Sequence, residues 1–428
     1  MLATLQNDPP FWSGHTVLLG IGGGIAAYRA LDLIRLLRRQ GARVVPVLTP
    51  AAARFVTPLS AATLAGGPVY GGDFFDEHDG SMNHIRLGRE ASIAIVAPAT
   101  ANLMARLSQG MADDALTTLL LAFTGPLVLA PAMNSAMWHH AATQRHVGQL
   151  RADGATVVGP ERGELACGEE GEGRLAALEA IIGAARCRLT PQILAGQRVV
   201  VTAGPTREAW DPVRYLGNRS SGRMGWALAE SAARQGAQVT LVHGPVSLPP
   251  PLGVTTVAVE DARQMHAAVF AAVQAGCDVA ILAAAVADFR PARPAEEKIR
   301  KVQATGEGVR VPQLDLVANP DILADLCLWR KQQGETAGPM IVGFAAETGA
   351  DLGPARDKLV RKGCDLLVVN DVADAACGFG SRDNRVTLLF AGGAEEAWPL
   401  MGKDRVADHL WQVLVGRLRR ADSGQEGT

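Results

Sequence analysis

The first fifty residues alternate between short apolar runs and a helical pattern. His15–Leu19 is an apolar run of strand length that leads into a glycine-rich turn. From Ala27 to Leu37, apolar side chains recur three and four residues apart, and charged residues occupy the opposite face. Gly41 ends this predicted helix, and the run Arg43–Leu48 predicts the next strand. The pattern is that of a strand–helix–strand unit in a parallel sheet.

The same pattern returns in the second half of the chain. Arg198–Thr202 and Gln238–Val242 are predicted strands, and Met224–Gln235 between them is a predicted helix. Both helices end in the sequence Arg-Gln-Gly-Ala. Later strands also correspond, since Ser92–Ala97 and Asp278–Ala283 are each followed by small residues. We therefore predict two doubly wound, Rossmann-like α/β domains rather than one long sheet.

The boundary between the domains is expected where Pro191 and Gly196 interrupt two periodic segments. The chain past Arg419 is polar and rich in glycine, which is typical of a disordered tail. The residues before His15 are irregular, and we expect them to be dispensable. The predicted divisions are an N-terminal extension at 1–14, a first domain at 15–188, a second domain at 189–419 and a tail at 420–428.

Composition and charge exclude several classes of partner. The 428 residues carry 41 basic and 43 acidic side chains, so we expect no positive surface for nucleic acid or anionic lipid. The apolar stretch Leu116–Met133 is broken by Thr124–Pro126, which predicts a helix, a turn and a strand instead of a membrane span. No signal peptide opens the chain, and we expect a cytoplasmic location. The six cysteines form no CxxC pair, so most are expected to be small buried hydrophobes.

A glycine run, Gly22–Gly24, lies between the first predicted strand and its helix. Glycines at that position let backbone N–H groups approach a phosphate. A dinucleotide site also needs an acidic residue after the second strand, but the chain has Val47–Pro50 there, and Val242–Gly244 in the second half. A mononucleotide is therefore favoured over NAD, which argues against an NAD-dependent dehydrogenase. On this motif alone, a glycine turn selected only for packing is an equal alternative.

Four further motifs follow the glycine run in a fixed order: Met82–Leu87, Pro98–Asn102, Gly110–Asp114 and Pro131–Trp138. With the glycine run, this set resembles the flavin-dependent cysteine decarboxylases over about residues 15 to 185. The resemblance implies a flavodoxin-like domain that binds FMN, often across a subunit boundary within a trimer. The implied FMN contacts are Gly22, Gly23, Gly24, Ile25, Thr49, Pro98, Ala99, Thr100, Asn102 and Met133.

Three side chains of this half suit the implied decarboxylation, in which the flavin accepts electrons that no side chain can hold. His84 suits a base for the substrate thiol, and Asn134 has two N–H donors for the departing carboxylate. Cys167 lies in the glycine-rich run Leu165–Arg174, which reads as a poor helix or strand and a mobile flap. The resemblance makes this thiol the proton donor to the decarboxylated enethiol. A packed histidine, a capping asparagine and an incidental loop thiol are the alternatives.

The second half carries another ordered set of motifs, which are Thr202–Glu208, Asn218–Gly225, Ala284–Phe289, Lys298–Lys301, Asn319–Ile322, Gly343–Thr348 and Val369–Asp371. It resembles phosphopantothenate–cysteine ligase over about residues 195 to 415, and fusion to a decarboxylase half is the usual bacterial arrangement. The implied reaction joins 4'-phosphopantothenate to L-cysteine through an acyl-cytidylate made from CTP, with Mg²⁺ on the triphosphate.

Negative charge at the attacked phosphate calls for cations. The resemblance puts Lys298 at the transferring phosphate and Lys358 and Lys362 at the triphosphate; for that i,i+4 pair, a plain exposed helix face is the alternative. It makes Asn218 the residue that holds the acyl-cytidylate. The implied CTP contacts are Ala283, Ala284, Asp288, Lys298, Asn319, Pro320, Asp321, Ile322, Phe344, Lys358 and Lys362, and the implied substrate contacts are Asn134, Asn218, Ser220, Ser221 and Gly222.

Two other functions compete with this hypothesis. A decarboxylase of peptide C-terminal cysteines would lack the ligase motifs, and a regulatory protein with the flavin fold need not retain His84, Asn134 and Cys167. Two positions depart from the ligase pattern, namely Arg300 and Arg385. The resemblance implies trimeric decarboxylase contacts and dimeric ligase contacts. Sequence leaves open the metal ligands, CTP over ATP, and whether the intermediate passes directly between domains.

Overall fold

A computed structural model describes residues 11–71, 83–166, 168–299, 313–334, 338–347, 351–371, 381 and 383–422. The chain divides into two units, one ending at Pro191 and the other beginning at Gln192. The strands of the first unit are β1 (Thr16–Ile21), β2 (Arg43–Leu48), β3 (Tyr70–Gly71), β4 (Ile93–Ala99), β5 (Leu127–Pro131), β6 (Thr156–Val157), β7 (Glu161–Glu164) and β8 (Glu170–Arg174). Its helices are α1 (Ala27–Arg39), α2 (Pro58–Ala65), α3 (Asn83–Glu90), α4 (Ala101–Ser108), α5 (Ala115–Ala122), α6 (Ser135–His139), α7 (Ala141–Ala152) and α8 (Leu178–Leu189).

The first unit is built on a parallel sheet with the strand order β3-β2-β1-β4-β5-β6. Strands β1 and β4 are buried along their whole length, as expected for a sheet covered by helices on both faces. Helix α1 buries Ala27, Ala30, Leu33, Ile34 and Leu37 against one face, which confirms the helical pattern. Apart from the two-residue β3, the order is flavodoxin-like, and it reverses between β1 and β4.

The glycine-rich run after residue 160 was expected to be unsuitable for a strand, and this was wrong. Strands β7 and β8 form an antiparallel hairpin in which Gly163 pairs with Gly171. The hairpin closes through the hydrogen bond from Leu165 N–H to the carbonyl of Glu169, at 2.8 Å. Backbone pairing stabilises these strands, so the low strand propensity of glycine does not decide the structure here.

Both predicted chain ends also need correction. Trp12 is fully buried in the core of the first unit, with Phe11 packed against the same cluster. A buried indole contributes a large apolar area, so we now expect removal of Trp12 to destabilise the first unit. At the other end, the last helix runs to Asp422, so residues 420–422 belong to a helix and not to a tail.

The strands of the second unit are β9 (Arg198–Ala203), β10 (Glu208–Ala209), β11 (Tyr215–Leu216), β12 (Gln238–His243), β13 (Val254–Ala258), β14 (Val279–Leu282), β15 (Phe289–Pro291), β16 (Leu316–Ala318), β17 (Met340–Glu347), β18 (Leu366–Asp371), β19 (Asp383–Asn384), β20 (Val386–Phe390), β21 (Glu395–Ala397) and β22 (Met401–Gly402). Its helices are α9 (Arg223–Arg234), α10 (Ala262–Gln274), α11 (Ile322–Gln333), α12 (Gly353–Lys362) and α13 (Lys403–Asp422).

The second unit has an eight-stranded sheet with the order β13-β12-β9-β14-β17-β18-β20-β21. The first six strands are parallel, and β20 and β21 are antiparallel. The order reverses between β9 and β14, as it does between β1 and β4 in the first unit. Helices α9 and α13 cover one face, where Trp411 is fully buried. The predicted repeat of the strand–helix–strand unit is therefore confirmed.

The described cysteines differ in burial. Cys327 and Cys364 are buried, whereas Cys187 and Cys277 are partly exposed, and Cys167 and Cys377 lie outside the described residues. Burial raises the pKa of the Cys327 thiol to about 12 and that of Cys364 to about 11, so both stay protonated near neutral pH. Across the described part of the chain, no helix is both long and apolar enough to span a bilayer.

Candidate functional site

A cleft of about 1730 Å³ opens in the first unit where the strand order reverses. The loops after β1, β2 and β4 meet there because parallel strands place their carboxyl ends at one edge of the sheet. Exposed apolar side chains also line it, including Ile25 and Met137, which are 63% and 50% exposed. Among the residues predicted to contact FMN, the cleft is lined by Gly23, Gly24, Ile25, Thr49, Thr100, Asn102 and Met133.

The glycine run in this cleft is required by close backbone packing. A Cβ atom on Gly22 would lie 2.4 Å from the carbonyl oxygen of Pro98, and one on Gly23 would lie 2.4 Å from Cβ of Ala51. The N–H of Gly22 donates to that Pro98 oxygen at 3.1 Å, which ties the loop to the end of β4. The N–H groups of Gly23 and Gly24 donate to no other described residue. Open donors at the start of a helix suit a phosphate, so these residues fit the FMN expected here.

The other predicted FMN contacts have structural tasks of their own. The hydroxyl of Thr49 donates to the carbonyl of Ile21 at 3.3 Å and accepts from the N–H of Ala52 at 3.1 Å. The hydroxyl of Thr100 caps helix α4. Pro98 and Ala99 lie behind the glycine loop and do not line the cleft. Pro98 holds the loop through its carbonyl, whereas the carbonyl of Ala99 accepts from the N–H of Ala132 at 3.3 Å. Direct contact of either residue with a flavin stays a prediction.

Asn134 is the residue that links the cleft to the β7–β8 hairpin. It caps helix α6 through its side-chain oxygen, which accepts from the N–H of Ala136 at 2.8 Å. Its amide nitrogen donates to Glu169 Oε2 at 3.1 Å. Glu169 is two residues from Cys167, which itself lies outside the described residues. The capping alternative for Asn134 is thus real, but one N–H group still faces the segment that carries the predicted proton donor.

Several glutamates lie near Cys167 in the sequence, and their negative charge would disfavour a thiolate there; they are Glu161, Glu164, Glu169, Glu170 and Glu172. Some of these glutamates lie close to a basic side chain. Glu161 accepts from Arg174 at 2.9 Å, and Glu172 lies 3.6 Å from His139 Nε2. The bond from the Ala177 N–H, followed by that from Arg174, holds the pKa of Glu161 below its usual range.

His84 lies in the first turn of helix α3. A helix that leads into a parallel strand begins at the carboxyl edge of the sheet, so His84 is at the same edge as the glycine loop. His84 is partly exposed, however, and does not line the cleft. Met82, two residues earlier in the chain, lies outside the described residues. Within one chain, the structure therefore does not bring His84 to the cleft.

In the second unit, the loops after β9 and β14 lock together at the reversal point. The hydroxyl of Thr202 accepts from the N–H of Ala284 at 3.1 Å, and the carbonyl of Gly204 accepts from the N–H of Ala285 at 2.9 Å. The amide of Asn218 donates to the carbonyl of Val286 at 2.8 Å. Three of the predicted ligase motifs, which are far apart in sequence, therefore meet at one edge of the sheet.

A polar cluster extends from this loop to helices α11 and α12. Asn319 donates through its amide to the carbonyl of Ala287 at 2.8 Å, and its N–H donates to the carbonyl of Asp288 at 2.8 Å. Lys362 forms an ion pair with Asp321, the residue that caps α11. Burial lowers the pKa of Lys362, and the nearby charge of Asp288 opposes that shift.

The lysine pair on α12 divides into two different environments. The side chain of Lys362 is only 13% exposed, so an exposed helix face does not describe it. Lys358 is partly buried and makes no ion pair with a described carboxylate. Phe344 packs against the core on one face of the sheet, and its contact with CTP stays a prediction. Ile322 is buried in the core on the other face, so its contribution is to position α11.

Lys298 is exposed, and its ammonium makes no hydrogen bond or ion pair with another described residue. Its neighbour Ile299 is instead held on both sides of its peptide unit. The N–H of Ile299 donates to Asp211 Oδ2 at 3.2 Å, and its carbonyl accepts from Arg214 at 2.7 Å. The side chain of Asp211 is fully buried, and the Arg214 hydrogen bonds hold its pKa well below the usual range.

The Asp211–Arg214 pair was missed by the sequence analysis. Asp211 also accepts from the N–H groups of Val213 and Arg214, each at 2.8 Å. The only local signal is the Asp-Pro-Val-Arg turn, and nothing in it indicates a contact with a segment 88 residues later. Among the described residues, no group of three or more histidine, cysteine or acidic side chains is arranged to hold a metal ion.

Two family models match the chain. Residues 11–189 match the family described as Flavoprotein, and residues 194–417 match that described as DNA/pantothenate metabolism flavoprotein C-terminal domain. The Coenzyme A biosynthesis bifunctional protein CoaBC of Vibrio cholerae is 44% identical over 94% of this chain and 98% of its own length. The protein of the same name from Escherichia coli K12 is 42% identical over 95% of this chain and 98% of its own.

Solved structures also resemble each half. The crystal structure of the C-terminal domain of Coenzyme A biosynthesis bifunctional protein CoaBC is 38% identical, with a TM-score of 0.43, over 53% of this chain and 99% of that chain. The FMN-dependent cysteine decarboxylase SpaF is 32% identical, with a TM-score of 0.36, over 41% of this chain and 99% of that chain.

Proposed function

The chain belongs to the family of coenzyme A biosynthesis bifunctional proteins, and from that premise we propose how its own residues divide the work. It is an enzyme with an FMN-dependent phosphopantothenoylcysteine decarboxylase domain and a phosphopantothenate–cysteine ligase domain. The ligase joins phosphopantothenate and cysteine with CTP through an acyl-cytidylate, and the decarboxylase converts the product to phosphopantetheine. We propose domain boundaries close to Pro191, where the two structural units divide.

One observation supports the decarboxylase assignment most strongly. Asn134 lines the same cleft as the glycine run, and it donates to Glu169, two residues after Cys167 in the sequence. When bound, FMN supplies the electron sink that loss of CO₂ requires. In our proposal, the amide of Asn134 exchanges Glu169 for the substrate carboxylate and fixes it above the cleft. A neutral donor orients the carboxylate without stabilising its charge as strongly as a cation would.

Two proton transfers complete this half of the proposal. His84 takes the proton of the substrate thiol, because an imidazole is the side chain that exchanges protons most readily near neutral pH. The Cys167 thiol returns a proton to the decarboxylated product. Because His84 does not line the cleft of its own chain, we propose that it serves the cleft of a neighbouring copy. Exposed Ile25 and Met137 at the cleft suit such a contact.

In the ligase half, the proposed CTP site follows the reversal point of the sheet. Asn218 and the loop after β14 hold the acyl-cytidylate. The Lys362–Asp321 ion pair joins the last residue of α12 to the residue that caps the start of α11. Lys298 stabilises the charge that develops on the attacked phosphate. We propose that Mg²⁺ binds with CTP, because a triphosphate is the usual partner of a hydrated magnesium ion.

The assembly and location are proposals as well. We propose trimeric contacts between decarboxylase units and dimeric contacts between ligase units. Phosphopantothenate and CTP are phosphorylated metabolites, which supports a cytoplasmic location.

The test is a coupled assay with purified protein. The protein is incubated with phosphopantothenate, cysteine and either CTP or ATP, while pyrophosphate and CO₂ are measured. We expect both products with CTP, loss of pyrophosphate in Lys298→Gln, and an oxidised, decarboxylated species in Cys167→Ser. Production of neither pyrophosphate nor CO₂ by the unaltered protein would contradict the proposal. Normal phosphopantetheine formation by Cys167→Ser would contradict the role of that thiol.

A further inference from the structure

Three arginines line the cleft of the first unit, and they differ in how their charge is used. Arg106 binds Asp113 at 2.7 Å and Asp114 at 2.8 Å. Arg174 binds Glu161 at 2.9 Å. Arg29 forms no ion pair with a carboxylate of any described residue. Among the described cleft arginines, Arg29 is therefore the one whose charge is available to a ligand.

Arg29 lies in the first turn of helix α1, five residues after Gly24. It is partly exposed, but its Nε is buried and has no hydrogen-bond partner among the described residues. A buried N–H group without an acceptor is unfavourable, so an acceptor is expected at this position when the cleft is occupied. A guanidinium presents donors in a planar fork, and phosphate oxygens match that geometry.

The acidic groups near Arg29 do not supply this acceptor. Glu161 is close enough for the charge of Arg29 to contribute to lowering its pKa. However, its Oε2 accepts from Arg174 at 2.9 Å, and its Oε1 accepts from the N–H of Ala177 at 2.8 Å. Glu164 and Glu179 also line the cleft, so an anionic ligand would meet repulsion there unless a cation faced it.

We propose that Arg29 binds the phosphate monoester of a ligand in this cleft and so selects phosphorylated over unphosphorylated molecules. The inference rests on the proposed decarboxylase function, in which both the cofactor and the substrate carry such a group. Lysine at this position would keep the charge but lose the planar fork, so it should retain only part of the affinity.

The test compares Arg29→Gln with Arg29→Lys, in two arms that separate the sources of phosphate. In the first arm, apoprotein is titrated with FMN and with riboflavin, and flavin fluorescence gives the dissociation constants. In the second arm, the KM is measured for phosphopantothenoylcysteine and for its dephosphorylated form. Arg145→Gln is the matched control, because Arg145 is exposed on α7, outside the cleft, and the charge change is the same.

In one arm, Arg29→Gln should raise the dissociation constant or the KM of the phosphorylated ligand on the order of 10- to 100-fold. The same constant for the unphosphorylated form of that ligand should change by less than about twofold. A loss confined to FMN identifies the cofactor phosphate, and a loss confined to the substrate identifies the substrate phosphate. Equal effects on phosphorylated and unphosphorylated ligands in both arms, or no effect beyond that of Arg145→Gln, would overturn the inference. Failure of the unaltered protein to bind FMN or decarboxylate would instead reject the proposed function.

Discussion

Gly173 in strand β8 offers the sharpest test of how the hairpin supports the decarboxylase site. A Cβ atom at this position would lie 2.1 Å from the carbonyl oxygen of Met133 and 3.2 Å from its carbonyl carbon. The carbonyl of Gly173 also accepts from the N–H of Met133 at 2.9 Å. Met133 precedes Asn134, so a change at Gly173 acts directly on the turn that presents the Asn134 amide.

The size of the effect follows from these contacts. An ordinary contact for a Cβ is 3.4–4 Å, so Gly173→Ala must separate the hairpin from the Met133 turn by about 1 Å. The clash is with backbone and cannot be relieved by a side-chain rotation. Overpacking of this kind costs about 1–3 kcal/mol. A displacement of about 1 Å at a reacting group can cost on the order of 100-fold in rate.

We therefore expect Gly173→Ala to lower the rate of decarboxylation by about 10- to 100-fold. The assay supplies phosphopantothenoylcysteine directly and measures phosphopantetheine, while pyrophosphate release in the same preparation reports the ligase. Ligase activity should be unchanged, because Gly173 belongs to the other unit.

The matched control is Gly148→Ala in helix α7. A Cβ there meets nothing within 4 Å, so alanine should stabilise the protein by about 0.5–1 kcal/mol through helix propensity. If Gly173→Ala decarboxylates at the normal rate, the packing of the hairpin on the Met133 turn is not needed for catalysis.

Three other perturbations have outcomes that the structure predicts. Gly22→Ala should abolish stoichiometric FMN binding, measured as flavin absorbance per chain, because its Cβ would lie 2.4 Å from a backbone oxygen. Asp211→Asn should lower kcat for pyrophosphate release and leave decarboxylation intact, because Asp211 holds the peptide next to Lys298. The same variant should flatten acid unfolding of the ligase unit: a depressed pKa contributes stability above about pH 4, and that stability is lost as the pH falls towards the folded pKa. Lys362→Met should raise the KM for CTP, because it removes a positive charge predicted to lie at the triphosphate. Lys362→Arg should retain part of the affinity for CTP, because arginine can also pair with Asp321.

Each of these expectations has a clear contrary result. Full flavin content in Gly22→Ala would mean that the glycine loop tolerates a side chain. An unchanged kcat in Asp211→Asn would mean that the position of Ile299 does not matter to Lys298. For the CTP site, Lys331→Met is the control, because Lys331 is exposed on α11 and has the same charge. Equal effects of Lys331→Met and Lys362→Met would contradict a specific role for Lys362.

Local sequence patterns determined much of this fold. The sequence predicted β1, α1 and β2 to within a few residues. The reason is that the buried and exposed positions of one element follow each other along the chain, so their pattern is visible in a short stretch of sequence. The glycine run after β1 also indicated the site, since the carboxyl end of a parallel strand is where ligands bind. The second copy of this pattern indicated the second unit for the same reason.

Tertiary structure alone decided which distant residues meet. Asn134 donates to Glu169 because the hairpin brings the two residues together. Lys362 pairs with Asp321 because their two helices pack side by side. The hairpin itself was mistaken for an irregular flap, because its stability comes from pairing between strands and not from the propensity of its glycines. For a related reason, no sequence pattern linked Asp211 to the peptide next to Lys298. Hydrogen bonds between segments depend on how the sheet orders its strands, and no short stretch of sequence specifies that order.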